Sequence, residues 1–95
     1  MKQLPYIDMI ATGRNIEKLR TERGLTVRQV SDWFGFTGPQ AVYKWQNGQA
    51  LPTVDNLYAL GTLFEIPMEE ILVEENHIIY ESQDESCGSV FLTAG

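Results

Sequence analysis

Apolar residues recur along the chain three or four positions apart, in short groups that glycine or proline closes, the pattern of consecutive short helices. Ile16 and Leu19 mark a first helix, about 14–23, which Gly24 ends from a left-handed conformation. Thr26-Val-Arg-Gln29 has capping-box form and opens a second helix, about 27–34, with Val27, Val30 and Phe34 on one face and Gly35 after it. Thr37-Gly-Pro-Gln40 repeats the start signal, with proline in the first turn where its missing N–H costs nothing. A third helix, about 39–46, therefore places Val42 and Trp45 inward, and Asn47-Gly48 breaks it. Leu57, Leu60, Leu63 and Phe64 form the stripe of a fourth helix capped by Thr53, and Pro67 opens a short fifth helix to Val73. Together these elements predict an all-α fold, a compact five-helix bundle with short connections.

The ends follow a different pattern. Tyr6–Met9 and His77–Tyr80 are aromatic and β-branched runs suited to pairing as strands, docking on the bundle or staying loose. The acidic stretch from Glu81 to Gly88 precedes an apolar triplet, Val90-Phe91-Leu92. The expected organisation is an N-terminal extension at 1–13, a helical domain at 14–75 and an acidic C-terminal extension at 76–95.

Charge sharpens this division. The net charge of -6 argues against a polyanionic partner until the charges are placed. Between Arg14 and Ala50, six basic residues (Arg14, Lys18, Arg20, Arg23, Arg28, Lys44) face three acidic ones, whereas elsewhere Lys2 alone offsets ten carboxylates. One face of the molecule can thus meet phosphate while the other turns away. Cys87 and His77 are single, so a disulfide within the chain is excluded and a zinc site lacks the usual ligand spacing. No phosphate-cradling glycine loop or catalytic constellation is visible, which implies neither a cofactor nor an enzyme. Without an apolar run long enough to span a membrane or a secretory leader, a cytoplasmic location is expected.

The order Ile16-x-x-Leu19-Arg20, Gly24-Leu25-Thr26, Gly35, Asn47-Gly48, Leu51-Pro52, Leu57-x-x-Leu60, Ile71-Leu72 resembles the phage repressor and Cro-like helix-turn-helix regulators of the xenobiotic-response-element type. The resemblance covers about 14–73. It implies a lambda-repressor-like DNA-binding domain that regulates transcription as a homodimer on a roughly palindromic, double-stranded DNA operator. The alternative is an interaction module or antitoxin-type partner that keeps the fold with little DNA binding, a reading the acidic balance and Trp33 suggest.

Helical geometry, at about 100° per residue, puts Gln40, Tyr43, Lys44 and Asn47 opposite Val42 and Trp45. Gln40, Ala41, Tyr43 and Lys44 are the candidate base contacts: glutamine suits adenine, lysine suits guanine, and alanine at the margin suits a thymine methyl. Thr26, Arg28, Gln29 and Asn47 are the candidate phosphate contacts. Gln29 and Gln40 suit helix capping as well as DNA. About three to five basic groups per subunit are expected near phosphate. Relative to the family, the turn Gly35-Phe36-Thr37-Gly38 is one residue longer, and Val27 stands where many relatives have a phosphate-binding glutamine. Some relatives pair a glutamate before the Asn-Gly with the arginine of the first helix; here Gln46 faces Arg20, which leaves a hydrogen bond. Ser31 supplies the small residue that two closely crossing helices require. The expected dimer surfaces are the fifth helix, Ile78-Ile79 and Val90-Phe91-Leu92.

Overall fold

A computed structural model describes residues 4–75 and contains four α-helices: α1 (Met9–Glu22), α2 (Val27–Phe34), α3 (Gln40–Gln46) and α4 (Val54–Phe64). A single 3-10 turn, Met68–Glu70, stands where a fifth helix was expected. Ile71, directly after that turn, is fully buried, so the segment is held by its insertion into the core rather than by helical length. The core is continuous across the elements: Ile16 from α1, Val27 and Val30 from α2, Val42 and Trp45 from α3, Leu57, Leu60 and Phe64 from α4, and Ile71.

The first helix begins five residues before the expected Arg14. Asp8 caps it by accepting a hydrogen bond from the Ala11 N–H (2.9 Å), satisfying one of the donors that a helix start leaves without a partner. The earlier start brings Gly13 into the body of α1, where the helix lies against the end of α3. A Cβ built on Gly13 would meet the Gln46 carbonyl oxygen at 2.5 Å and the Trp45 carbonyl oxygen closer still. Only a residue without a side chain permits that approach.

Local signals account for the remaining boundaries. Thr26 and Gln29 form the expected capping box: the Gln29 N–H donates to Thr26 Oγ1 (3.0 Å) and the Thr26 N–H to Gln29 Oε1 (2.8 Å). Gly35 ends α2 at φ 79°, the left-handed conformation anticipated for the turn. The second expected box, Thr37 to Gln40, is absent; Pro39 occupies the cap position of α3 and provides no side-chain bond. Instead the Gln40 side chain folds back over Gly38, into the space a Cβ there would fill. Thr53 caps α4 through the Asn56 N–H (3.4 Å) and also donates to Asp55 Oδ1 (2.7 Å).

The chain ends of the described region are tied together. The Asp8 N–H donates to the Val73 carbonyl (2.8 Å) and the Glu75 N–H to the Tyr6 carbonyl (2.7 Å), flanking an antiparallel bridge between Ile7 and Glu74. Tyr6–Asp8 therefore pairs with residues 73–75; His77–Tyr80 lies outside the described residues, as do Ile78-Ile79 and Val90-Phe91-Leu92. Helix α1 reinforces this closure. Thr12 Oγ1 accepts the Val73 N–H (2.9 Å), and Asn15 Nδ2 donates to the carbonyls of Glu70 (2.9 Å) and Ile71 (3.0 Å). Those two carbonyls have no helical continuation to bond with, and Asn15 satisfies both.

Candidate nucleic-acid interface

Helix α3 is amphipathic in a way that serves two purposes at once. Val42 and Trp45 are buried, and Trp45 makes edge-on contacts with the rings of Phe34 and Phe36, which stack on each other at 5.0 Å. That aromatic group joins α2, the turn and α3 into one rigid corner. On the opposite side Gln40, Tyr43, Lys44 and Asn47 are exposed, Tyr43 at 49%. Ala41 is half-buried and packs against the core, at the edge of the outward face. Ser31 on α2 is 2% exposed, and its hydroxyl has no hydrogen-bond partner among the described residues, so its small volume rather than its polarity suits that buried position.

A cleft of about 310 Å³ lies between α2 and the start of α3, lined by Arg28, Ser31, Asp32, Thr37, Pro39 and Gln40 among others. Arg28 and Gln40, singled out in sequence for phosphate and for a base, therefore border the same depression. Asp32 is on it as well, a carboxylate that disfavours phosphate on its side and can accept from a cytosine amino group.

The capping box on α2 does not consume Thr26 and Gln29. Each gives up an oxygen lone pair to the backbone and retains a donor, the Thr26 hydroxyl proton and the Gln29 amide N–H₂, at the start of the helix. Capping and phosphate binding are compatible here, because phosphate needs donors and the caps use acceptors.

Two of the six basic side chains have structural tasks that composition could not reveal. Arg20 donates through Nε to Gln46 Oε1 (2.7 Å) and through Nη1 to the Leu25 carbonyl (2.7 Å), bracing α1 against the end of α3. Arg23 donates to the Phe64 carbonyl (2.7 Å) and lies over the Phe64 ring at 5.6 Å, closing the C-terminal end of α4. Lys18 rests 3.9 Å from Glu22. Among the described residues Arg14, Arg28 and Lys44 carry no ion pair. Of the three to five cations expected near phosphate, these three are the ones without an ion-pair partner among the described residues.

A two-helix corner of α2 and α3, its second helix short and facing outward beside unpaired cations, is that of a helix-turn-helix DNA-binding protein of the transcription-regulator class. Residues 16–71 match the helix-turn-helix family model, and the chain belongs to that family. Among solved structures, it is similar to the restriction-modification controller protein C.AhdI from Aeromonas hydrophila, at 25% identity and a TM-score of 0.61 over 67% of this chain and 96% of that one. It is also similar in fold to the DNA-binding domain of BldD, at 23% identity and a TM-score of 0.59 over 68% of this chain and 93% of that one. The S. venezulae BldD DNA-binding domain gives 23% identity and a TM-score of 0.59, with 68% of this chain and 96% of that one covered. No curated protein matches the chain.

Proposed function

We propose that the protein reads an operator in double-stranded DNA by laying α3 in the major groove and regulates transcription there as a homodimer. The observation that carries this reading is the shared border of Arg28 and Gln40 on one cleft, with Tyr43 and Lys44 exposed further along α3. At seven residues, α3 spans about 10 Å, short enough to enter the groove end-first with its N-terminal side chains at the base edges. Gln40, Tyr43 and Lys44 are assigned to bases and Ala41, from its half-buried position, to a thymine methyl. Thr26, Arg28, Gln29 and Asn47 are assigned to the flanking phosphates. The likeness to a restriction-modification controller protein supports a role in gene regulation rather than catalysis.

A homodimer follows from the size of the site. One α3 covers half of a two-fold operator, and two copies with centres about 34 Å apart match one helical turn. The single-turn fifth element keeps Glu69 and Glu70 on the surface while Ile71, directly after it, is buried. Leu4, Tyr6 and Ile10 are exposed around the terminal pairing and offer further apolar area. No helix among the described residues is long and apolar enough to cross a membrane, and we place the protein in the cytoplasm with its DNA.

Selection of bound duplexes from a random pool, followed by mobility shift at moderate salt, tests the proposal. A two-fold consensus bound by two copies supports it. Retention of no duplex above background overturns it in favour of a protein-interaction module.

A further inference from the structure

Gly38, in the turn between α2 and α3, lacks the usual reason for a glycine. The glycines held at positive φ are Gly24, Gly35 and Gly48, so the backbone angle at Gly38 does not demand one. What fills the place of a side chain is the amide of Gln40. A Cβ on Gly38 would collide with Gln40 Oε1 and lie 3.1 Å from both Cδ and Nε2. Its three nearest atoms thus all belong to the movable end of one side chain, unlike those at Gly13, which are backbone.

The seat restrains Gln40 without using it up. The amide oxygen and nitrogen of Gln40 make no hydrogen bond among the described residues, so the acceptor and the donors that suit adenine stay available. Pro39, between seat and side chain, has φ -86° and a ring that limits further rotation. A glutamine loose in solvent gives up the freedom of three side-chain bonds when it binds a base, and one laid against Gly38 has less to give up. Gly38 and Gln40 both line the cleft that Arg28 borders, on the side of the molecule assigned to DNA.

We propose that Gly38 is a positioning residue for base recognition. By lacking a side chain it seats the Gln40 amide over the turn before DNA arrives, and so sets the base pair that Gln40 prefers. The inference rests on the assignment of Gln40 to a base and adds that this preference depends on a neighbour that need not touch DNA itself.

The test uses the full chain and begins without DNA. Nuclear Overhauser contacts between the Gln40 side-chain amide protons and the Gly38 α-protons are expected; their absence would overturn the seat, whatever the protein does with an operator. That measurement needs no variant. Gly38→Ala and Gln40→Ala then form a cycle, singly and together, against the selected operator and random duplex. Because only the end of a flexible side chain is displaced, Gly38→Ala should melt no lower than the parent. It should bind the operator about tenfold more weakly, leave random duplex unchanged, and lose preference at the same base pair as Gln40→Ala. In the Gln40→Ala background the same change should cost nothing further, which a role in supporting the turn would not produce. An equal loss in both backgrounds would overturn the proposal. A parent that selects an operator which Gly38→Ala binds equally well would overturn this inference alone, and a parent that retains no duplex would overturn it together with the DNA reading.

Discussion

Replacing Gly13 by alanine places a methyl group where α1 and α3 meet. Its nearest neighbours are backbone atoms, the Trp45 carbonyl oxygen, then the Gln46 carbonyl oxygen at 2.5 Å and carbonyl carbon at 2.8 Å, which cannot rotate away as a side chain would. To restore ordinary carbon–oxygen contact the two helices must part by about 1 Å. Alanine recovers about 1 kcal/mol of intrinsic helix preference, while overpacking of this kind costs about 1–3 kcal/mol. The separation also stretches the Arg20–Gln46 hydrogen bond, now 2.7 Å, worth about 1 kcal/mol or more with a charged donor. The sum is a net loss of about 1–3 kcal/mol. At about 4–8 °C per kcal/mol for a domain of this size, the midpoint of thermal unfolding by circular dichroism should fall by roughly 5–20 °C. Because α3 carries the proposed reading face, operator affinity should fall as well, even at temperatures where the variant is folded. Gly24→Ala provides the control. Gly24 has φ +68° with open space around its would-be Cβ, so its cost is conformational only, about 1 kcal/mol, without an effect on DNA. A Gly13→Ala protein at least as stable as the parent would refute the close approach of α1 to α3.

Three further outcomes follow from the same geometry. Gln46→Glu converts the Arg20 hydrogen bond into a charge-assisted pair at a partly buried site and should raise stability by about 0.5–1 kcal/mol in urea denaturation; a loss would contradict the pairing. The hydrogen bond from the Thr53 hydroxyl, then backbone N–H groups, hold the Asp55 carboxyl below its ordinary 3.8. Its contribution is complete above that value and is lost as pH falls through the lowered one, so the Asp55 carboxyl NMR titration should move upward in Thr53→Ala and stay in place if the bond is absent. With two or three free cations per subunit, log K against log salt should have a slope of about -2 to -3 per subunit, and a slope of -5 would mean that Arg20 and Arg23 reach phosphate after all.

How far the sequence could be read depended on how local each cause was. The capping box at Thr26, the left-handed Gly35 and the inward Val42 and Trp45 depend on residues within a few positions, and they stand in the structure as the pattern implied. The start of α1 did not, although Asp8 three residues before Ala11 is a cap signal, because Gly13 reads as a helix breaker until α3 is seen to press against it. The fifth element has a helical pattern on either reading. What limits it to one turn is Asn15, 55 residues away, taking the Glu70 carbonyl, together with Thr12 taking the Val73 N–H. Charge counting had the same limit. Nothing local distinguishes Arg23, committed to the end of α4, from Arg28, which stands free on α2. The pairing of Gln46 with Arg20 was legible only through the resemblance to the family, which knows which helices meet.

The central claim is that the outward face of α3 reads bases while the start of α2 holds phosphate, and one paired measurement tests it. Gln40→Ala, Lys44→Ala and Arg28→Ala are each titrated with the selected operator and with random duplex by mobility shift. Circular dichroism confirms that each stays folded, as these exposed side chains allow. Gln40→Ala and Lys44→Ala should lose about 1–3 kcal/mol on the operator and little on random duplex. Arg28→Ala should lose a similar factor on both and flatten the salt slope by about one. Uniform losses in all three, or a Gln40→Ala variant with its sequence preference intact, would contradict the account and remove α3 as the reading helix.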